Sequence, residues 1–119
     1  MNITVRRVYD RPVREDGIRV LVDRLWPRGL SKASAEIDVW MKELAPSSAL
    51  RQWYRHDIQK WPEFKAKYVA ELDANPEALG KLIELATRNP VVLLYGAREA
   101  RCNNAAVLKE YLEARLSGA

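Results

Sequence analysis

Five consecutive apolar residues, Val91-Val92-Leu93-Leu94-Tyr95, constrain the fold of this chain more than any other segment. Asn89-Pro90 precedes the run and Gly96 follows it, and such residues commonly end regular elements. Because the run is apolar on both faces, it predicts a central strand with a layer packed on each side. An α/β architecture follows from this expectation.

Two further strands are predicted near the N-terminus. The segment Ile3 to Tyr9 begins with alternating apolar and polar residues, which indicates a half-buried strand at or near a sheet edge. The segment Ile18 to Leu25 is short and β-branched, and Gly17 and Trp26-Pro27-Arg28-Gly29 bound it. The sheet is therefore expected to have three or four strands.

Apolar residues at helical spacing predict four helices between the second strand and the apolar run, and one helix after it. Their stripes are Ile37, Trp40, Met41 and Leu44; Leu50, Trp53 and Tyr54; Phe64, Tyr68 and Leu72; Leu79, Leu82, Ile83 and Ala86; and Val107, Leu108, Tyr111 and Leu112. The expected boundaries are Pro46, a cap at Ser47 or Ser48, Pro62, Asn75-Pro76, and a cap at Asn103 or Asn104. The prediction for residues 1–119 is a single small three-layer α/β domain with a short, mostly parallel or mixed sheet and about five helices.

Composition excludes several classes of protein. The chain has 119 residues, of which 48% are apolar and 30% charged, as in an ordinary globular domain. No apolar segment approaches the roughly 18–20 residues of a membrane span, and the N-terminus lacks the apolar core of a signal peptide. We therefore expect a cytoplasmic protein that does not contact a membrane. One cysteine and one histidine cannot form an internal disulfide or a four-ligand zinc site, and no metal or cofactor is expected.

The positive charge is concentrated in the first 28 residues. The whole chain has 20 Lys plus Arg against 16 Asp plus Glu, a net charge of +4. Seven arginines against four acids in the first 28 residues account for +3 of it; the arginines are Arg6, Arg7, Arg11, Arg14, Arg19, Arg24 and Arg28. Arginine makes planar two-point contacts with phosphate or carboxylate, so this excess points to an anionic partner.

One polar cluster follows the second strand, at Asp23-Arg24-Leu25-Trp26-Pro27-Arg28-Gly29. Its two arginines, with an acid to orient one of them and a rigid turn, would suit a preorganised anion site. The alternative is a strand end with an internal salt bridge and a tryptophan that only packs. Spacing alone leaves both interpretations open.

Two other clusters carry polar side chains. His56 and Asp57 are candidates for a general acid and base, although their alternative role is to end a helix. The loop from Tyr95 to Asn104 contains Arg98, a glycine and an asparagine pair. Cys102 would need a base to act as a nucleophile, and His56 is the only histidine in the sequence, so a simple capping loop is the other interpretation. Phosphate-binding P-loop, G-x-G-x-x-G, G-x-S-x-G and H-E-x-x-H motifs do not occur in the sequence.

These segments resemble the YeaO-like branch of the bacterial family called domain of unknown function 488. The resemblance rests on the run V-L-V-D-R-L-W-P-R-G at 20–29, on the Ala45-Pro46-Ser47 turn, on Leu50-Arg51-Gln52-Trp53 with His56-Asp57, and on L-Y-G-A-R leading to N-N-A at 94–105. It implies a small cytoplasmic α/β domain. The positions that the family pattern singles out are Asp23, Arg24, Trp26, Pro27, Arg28, Gly29, His56, Asp57, Tyr95, Arg98, Asn103 and Asn104. Cys102 stands where relatives often have histidine, so a base at that position is not expected here.

Three functions are consistent with these residues. The first function is the binding of an anionic or phosphorylated small molecule. In this function, Arg24, Arg28 and Arg98 hold the anion, and Asp23, His56 and Asp57 are catalytic candidates. The further ligand-binding residues are Trp26, Tyr95, Asn103 and Asn104. If the second and last strands are parallel, the arginines and asparagines should line one pocket.

The second function is nucleic-acid binding, because of the basic N-terminal segment and a pI of about 9.4. The third is a protein-interaction module that exposes Trp26, Trp40, Trp53 and Trp61. The sequence leaves the oligomeric state open.

Overall fold

A computed structural model describes residues 2–13 and 16–117 of the chain. In this part, four parallel strands form one sheet: β1 (Ile3–Arg7), β2 (Ile18–Leu21), β3 (Val39–Trp40) and β4 (Val91–Tyr95). Their order across the sheet is β1-β4-β2-β3, so β4 lies between β1 and β2. All five residues of β4 are buried, which confirms the prediction of a central strand. The prediction that the first strand lies at an edge is also confirmed.

The described helices are α1 (Lys32–Ala35), α2 (Ser48–Tyr54), α3 (Trp61–Asp73), α4 (Pro76–Arg88) and α5 (Asn104–Ser117), with 3₁₀ turns at Lys42–Leu44 and Ile58–Lys60. Four predicted helices are confirmed as α2 to α5. The Ser47 hydroxyl accepts a hydrogen bond from the Leu50 N–H at 3.1 Å and caps α2. The Asn103 side-chain oxygen accepts from the Ala106 N–H at 2.8 Å and caps α5. The fold class is thus a small α/β domain with a parallel sheet.

The helix predicted from Ile37, Trp40, Met41 and Leu44 is wrong. This segment instead forms the edge strand β3 and a 3₁₀ turn. The Asp38 N–H donates to the Arg19 carbonyl at 2.9 Å, and the Met41 N–H donates to the Leu21 carbonyl at 2.8 Å. These hydrogen bonds pair the edge of β2 that does not face β4. Without them, backbone N–H and C=O groups on this edge would have no partners. Strand β2 itself ends at Leu21, four residues before the predicted end, and β1 ends at Arg7 rather than Tyr9.

The two faces of the sheet are covered differently. On one face, Val20, Val91 and Leu93 belong to the large core that helices α2 to α5 complete. On the other, Leu21, Val92 and Leu94 form a small core with Val8, against which Trp26, Leu30 and Ile37 pack. The third layer therefore consists of the segment 26–37, which includes the one-turn helix α1. Among the described helices, none has both the length and the apolar character needed to cross a bilayer.

Candidate functional site

The carboxyl ends of β2 and β4 meet at one edge of the parallel sheet, which is where ligands usually bind in open α/β folds. Together with α2 and the start of α5, they enclose a space of about 440 Å³, called here the first cavity. Its lining residues are Asp23, Arg24, Leu25, Pro46, Ser48, Arg51, Gln52, Tyr54, His56, Trp61, Phe64, Ala97, Cys102, Asn103 and Asn104. Five sequence-predicted site residues are among them: Asp23, Arg24, His56, Asn103 and Asn104.

Asp23 connects three elements at the base of the first cavity. Its Oδ2 accepts a hydrogen bond from the Gly96 N–H at 2.7 Å, and its Oδ1 accepts from the Asn104 amide at 3.1 Å. The same Asn104 amide donates to the Val22 carbonyl at 2.9 Å. Burial raises the pKa of Asp23, while the bonds from Gly96 and Asn104 and the charge of Arg51 oppose this rise. Asp23 therefore links the ends of β2 and β4 to the start of α5.

Two arginines from different elements line the first cavity. Arg24 follows β2, is half-buried, and donates from Nε to the Pro46 carbonyl at 3.5 Å. Arg51 lies on α2 and is exposed. Neither guanidinium forms an ion pair with a carboxylate of residues 2–13 and 16–117, so the orienting bridge between Asp23 and Arg24 is not formed. Both guanidinium groups retain donors for an anion in the cavity.

An aromatic wall completes the first cavity. The rings of Tyr54 and Phe64 lie 4.5 Å apart between centroids, and Trp61 stacks on Phe64 at 5.3 Å. Tyr54 and Phe64 are buried, and Trp61 is half-buried. Burial, reinforced by the nearby Cys102, raises the pKa of the Tyr54 hydroxyl, so that this group stays neutral at ordinary pH. The wall is thus apolar and uncharged.

The remaining predicted arginines lie in a different space. This second cavity has a volume of about 750 Å³ and is lined by Arg7, Tyr9, Arg28, His56, Gly96, Ala97, Arg98 and Glu99. His56 and Ala97 line both cavities. The structure therefore divides the predicted pocket in two: Arg24 with the asparagine pair lines one cavity, and Arg28 with Arg98 lines the other. The prediction of one pocket assumed that β2 and β4 are parallel, and these two strands are parallel.

Two other predicted site residues, Trp26 and Tyr95, line neither of these cavities. The Trp26 indole donates to the Leu30 carbonyl at 2.7 Å and packs edge-on against Trp40, on the far face of the sheet. Tyr95 is buried in the large core and lines a third cavity next to Arg6 and Lys109. Tyr95 is not among the lining residues of the two cavities that hold the predicted arginines.

The two acid/base candidates do not form a pair. Asp57 accepts from the Gln59 N–H at 3.1 Å and caps the 3₁₀ turn Ile58–Lys60. His56 is exposed, has a backbone φ of +57°, and is not hydrogen-bonded to Asp57 in the described structure. Within residues 2–13 and 16–117, His, Cys, Asp and Glu side chains form no group of three or more that could hold a metal ion. Asp57 therefore begins the 3₁₀ turn, while Arg55 and not Asp57 stands at the end of α2.

Two arginines of the basic N-terminal segment form ion pairs within the fold. Arg19 is buried and bonded to Asp16 at 2.5 Å, and it also donates to the carbonyls of Ala35 and Glu36. Arg6 contacts the other oxygen of Asp16 at 3.1 Å. Arg14 lies outside the described residues. The local charge excess therefore does not form one uniform basic surface.

The four tryptophans do not form one exposed surface. Trp26 and Trp40 contact each other, while Trp61 belongs to the aromatic wall. Trp53 is half-buried, with the ammonium groups of Lys60 and Lys67 about 5 Å from its ring centroid. The aromatic residues are therefore distributed over several separate environments.

Several lining residues were not predicted as site residues. They include Arg51, Tyr54, Trp61 and Phe64 in the first cavity and Arg7 in the second. Arg51 belongs to the segment Leu50-Arg51-Gln52-Trp53 that contributes to the family resemblance, which is a signal that could have identified it; Tyr54 is the residue after that segment. Trp61 and Phe64 carry no such local signal, because an aromatic residue on a helical stripe is expected in the core.

Comparison with known proteins places the chain in a family. A model described as "Inactive DUF488-N3 subclade" matches residues 2–119. The chain is 40% identical to "Uncharacterized protein YeaO" of Escherichia coli (strain K12) over 112 residues, which cover 94% of this chain and 97% of that protein. It is 39% identical to "Uncharacterized protein Rv3073c" of Mycobacterium tuberculosis (strain ATCC 25618 / H37Rv) over 113 residues, 95% of each chain. No solved structure shows a significant match. The chain therefore belongs to the DUF488 family, in the DUF488-N3i subclade, and is similar to YeaO.

Proposed function

We propose that this protein binds an anionic or phosphorylated small molecule in the first cavity without transforming it chemically. The observation that carries the proposal is the pair Arg24 and Arg51. They come from separate elements, line the same cavity, and have no carboxylate partner in an ion pair among the described residues. A guanidinium without such a partner supplies strong, directional hydrogen bonds to phosphate or carboxylate.

The size and lining of the first cavity support a small ligand with an apolar part. Ligand cavities generally measure about 300–1,000 Å³ and combine apolar walls with a few polar groups. The first cavity has about 440 Å³, an aromatic wall on one side and the two arginines among its polar groups. Its occupant should therefore carry an anionic group and a planar or apolar group.

The arrangement of the acidic groups favours binding over catalysis. Both oxygens of Asp23 accept hydrogen bonds from within the protein, and Asp57 caps a turn. Neither carboxylate orients His56 through a hydrogen bond in the described structure. The word "inactive" in the description of the matching subclade supports the same choice.

The test is titration of the protein with inorganic phosphate and with phenyl phosphate at low salt, followed by calorimetry and thermal shift. Both should bind, and phenyl phosphate should bind more tightly because its ring can contact the aromatic wall. Arg24→Ala and Arg51→Ala should each weaken binding by about tenfold, since each removes a charge-assisted contact. Arg88→Ala is the matched control: Arg88 lies on α4 and pairs with the exposed Glu84, outside both cavities.

Two results would contradict the proposal. One is the absence of binding by either phosphate compound at low salt. The other is a loss of affinity in Arg24→Ala and Arg51→Ala no greater than that in Arg88→Ala. Salt-sensitive binding of an oligonucleotide that is unaffected by Arg24→Ala would instead favour the nucleic-acid hypothesis.

A further inference from the structure

The second cavity extends the first one, and we infer from this that the ligand has two separate anionic groups. One group would bind Arg24 and Arg51 in the first cavity, and the other would bind Arg28 and Arg98 in the second. This inference rests on the proposed function, because it describes the other end of the same ligand.

The two cavities are neighbours at one edge of the sheet. His56 and Ala97 line both of them, and Ala97 directly follows Gly96, whose N–H is held by Asp23. A molecule that lies across His56 and Ala97 therefore borders both sets of arginines. Because the two sets of arginines line different cavities, we expect each set to bind its own anionic group.

Arg28 and Arg98 are available to a ligand. Both side chains are exposed, and neither forms an ion pair with a carboxylate within the described ranges. Arg28 is positioned through its backbone, since its carbonyl accepts a hydrogen bond from the Tyr9 hydroxyl at 2.9 Å. The backbone contact leaves the guanidinium of Arg28 free to bind an anion.

The other charged residues of the second cavity, Arg7 and Glu99, have hydrogen-bond partners within the protein. Arg7 donates from Nε to the Ala97 carbonyl at 3.0 Å, and its guanidinium lies 4.7 Å from the centroid of the Tyr9 ring. Glu99, the acidic group of this cavity, accepts from the Arg101 N–H at 2.9 Å. Three arginines against one glutamate leave the second cavity positive, which suits a second anionic group.

The test compares linear alkanediol bisphosphates of increasing length with the corresponding monophosphates, by calorimetry on the full chain. One spacer length should bind at least about tenfold more tightly than its monophosphate, because a second charge-assisted contact is added. Arg28→Ala and Arg98→Ala should remove this gain, and each should weaken monophosphate binding less than Arg24→Ala or Arg51→Ala does. Arg98→Lys should recover only part of the gain, since lysine keeps the charge but not the planar fork. Arg88→Ala should behave as the wild type.

The outcomes separate this inference from the proposed function. If monophosphates bind and depend on Arg24 and Arg51, but no bisphosphate binds more tightly, the inference is overturned and the proposed function stands. A bisphosphate gain that survives Arg28→Ala and Arg98→Ala also overturns the inference. Failure of both classes of compound to bind overturns both proposals.

Discussion

The pH dependence of stability should reveal the state of Asp23, the residue that links the two cavity-forming strands. Burial raises the pKa of its carboxyl above 3.8, against the opposing effects of the Gly96 N–H, Asn104 and Arg51. The folded protein therefore holds this proton more tightly than the unfolded chain does. The tighter binding of the Asp23 proton adds to the free energy of unfolding. This contribution is fully present below about pH 3.8 and is lost as the pH rises through the folded-state pKa.

The substitution Asp23→Asn tests this reasoning, because an amide has nearly the shape of a protonated carboxyl and never ionises. Below about pH 3.8, the free energies of unfolding of the two proteins should differ by less than about 1 kcal/mol, since one hydrogen bond is rearranged. Above the folded-state pKa, the free energy of unfolding of Asp23→Asn should rise relative to that of the wild type. The gain is about 1.4 kcal/mol for each unit by which folding raises the pKa. In a domain of this size, 1 kcal/mol corresponds to about 4 °C in Tm.

Asp73→Asn provides a control with the opposite sign. The Asp73 carboxylate accepts from the Tyr111 hydroxyl at 2.6 Å and from Arg115 at 2.5 Å. The hydrogen bond from Tyr111, followed by the contacts of Arg115, lowers the pKa of Asp73. Its stabilising effect is therefore present above about pH 3.8 and is lost as the pH falls through the folded-state pKa. The wild type should gain stability over Asp73→Asn as the pH rises.

The measurement is urea unfolding followed by tryptophan fluorescence, at intervals from about pH 3 to about pH 7. The two variants should show differences from the wild type with opposite slopes against pH. The reasoning about Asp23 is refuted if the deficit of Asp23→Asn grows with pH. That result would mean that the hydrogen bonds and Arg51 outweigh burial.

Two further pairs of substitutions test the packing that supports the cavities, and both are measured as free energies of unfolding in urea. Tyr68 is fully buried and its hydroxyl donates to the Leu44 carbonyl, so Tyr68→Phe should cost about 1–3 kcal/mol. Tyr111→Phe should cost less, because the Asp73 carboxylate that it leaves is exposed; equal losses would contradict the role assigned to the buried bond. Gly17 has a φ of +72°, and an added Cβ would lie 2.2 Å from the Pro90 carbonyl oxygen, so Gly17→Ala should lose more than about 3 kcal/mol. Gly80→Ala, at an open position of α4, should instead gain about 0.5–1 kcal/mol, and a similar effect of both alanines would disprove the steric argument.

Local patterns were sufficient to predict much of the fold. The five apolar residues of β4 are buried because both faces of a central strand are covered, and this requirement is visible in the sequence itself. The stripe of Phe64, Tyr68 and Leu72 predicted α3, and all three side chains are buried. Ser47 and Asn103 were recognisable as possible caps because capping acts over only three residues.

The stripe of Ile37, Trp40, Met41 and Leu44 was misleading because three of its residues serve two different cores and Trp40 is exposed. Ile37 packs on the small core, whereas Met41 and Leu44 belong to the large one. The neighbouring edge of β2 determined the outcome, since its backbone groups pair with Asp38 and Met41. Local spacing carries no information about such a pairing.

The sequence by itself determined the chemistry available at the sheet edge, namely the arginines and Asp23 of the turn after β2 and the asparagine cap of α5. Only the tertiary structure decided how these groups are combined. It places Arg24 with Arg51 of α2 in one cavity, and Arg28 with Arg98 in the other, while Trp26 packs on the far face of the sheet. The physical reason is that residues close together in a turn point in different directions, and the partner of each is supplied by distant segments packed against the sheet.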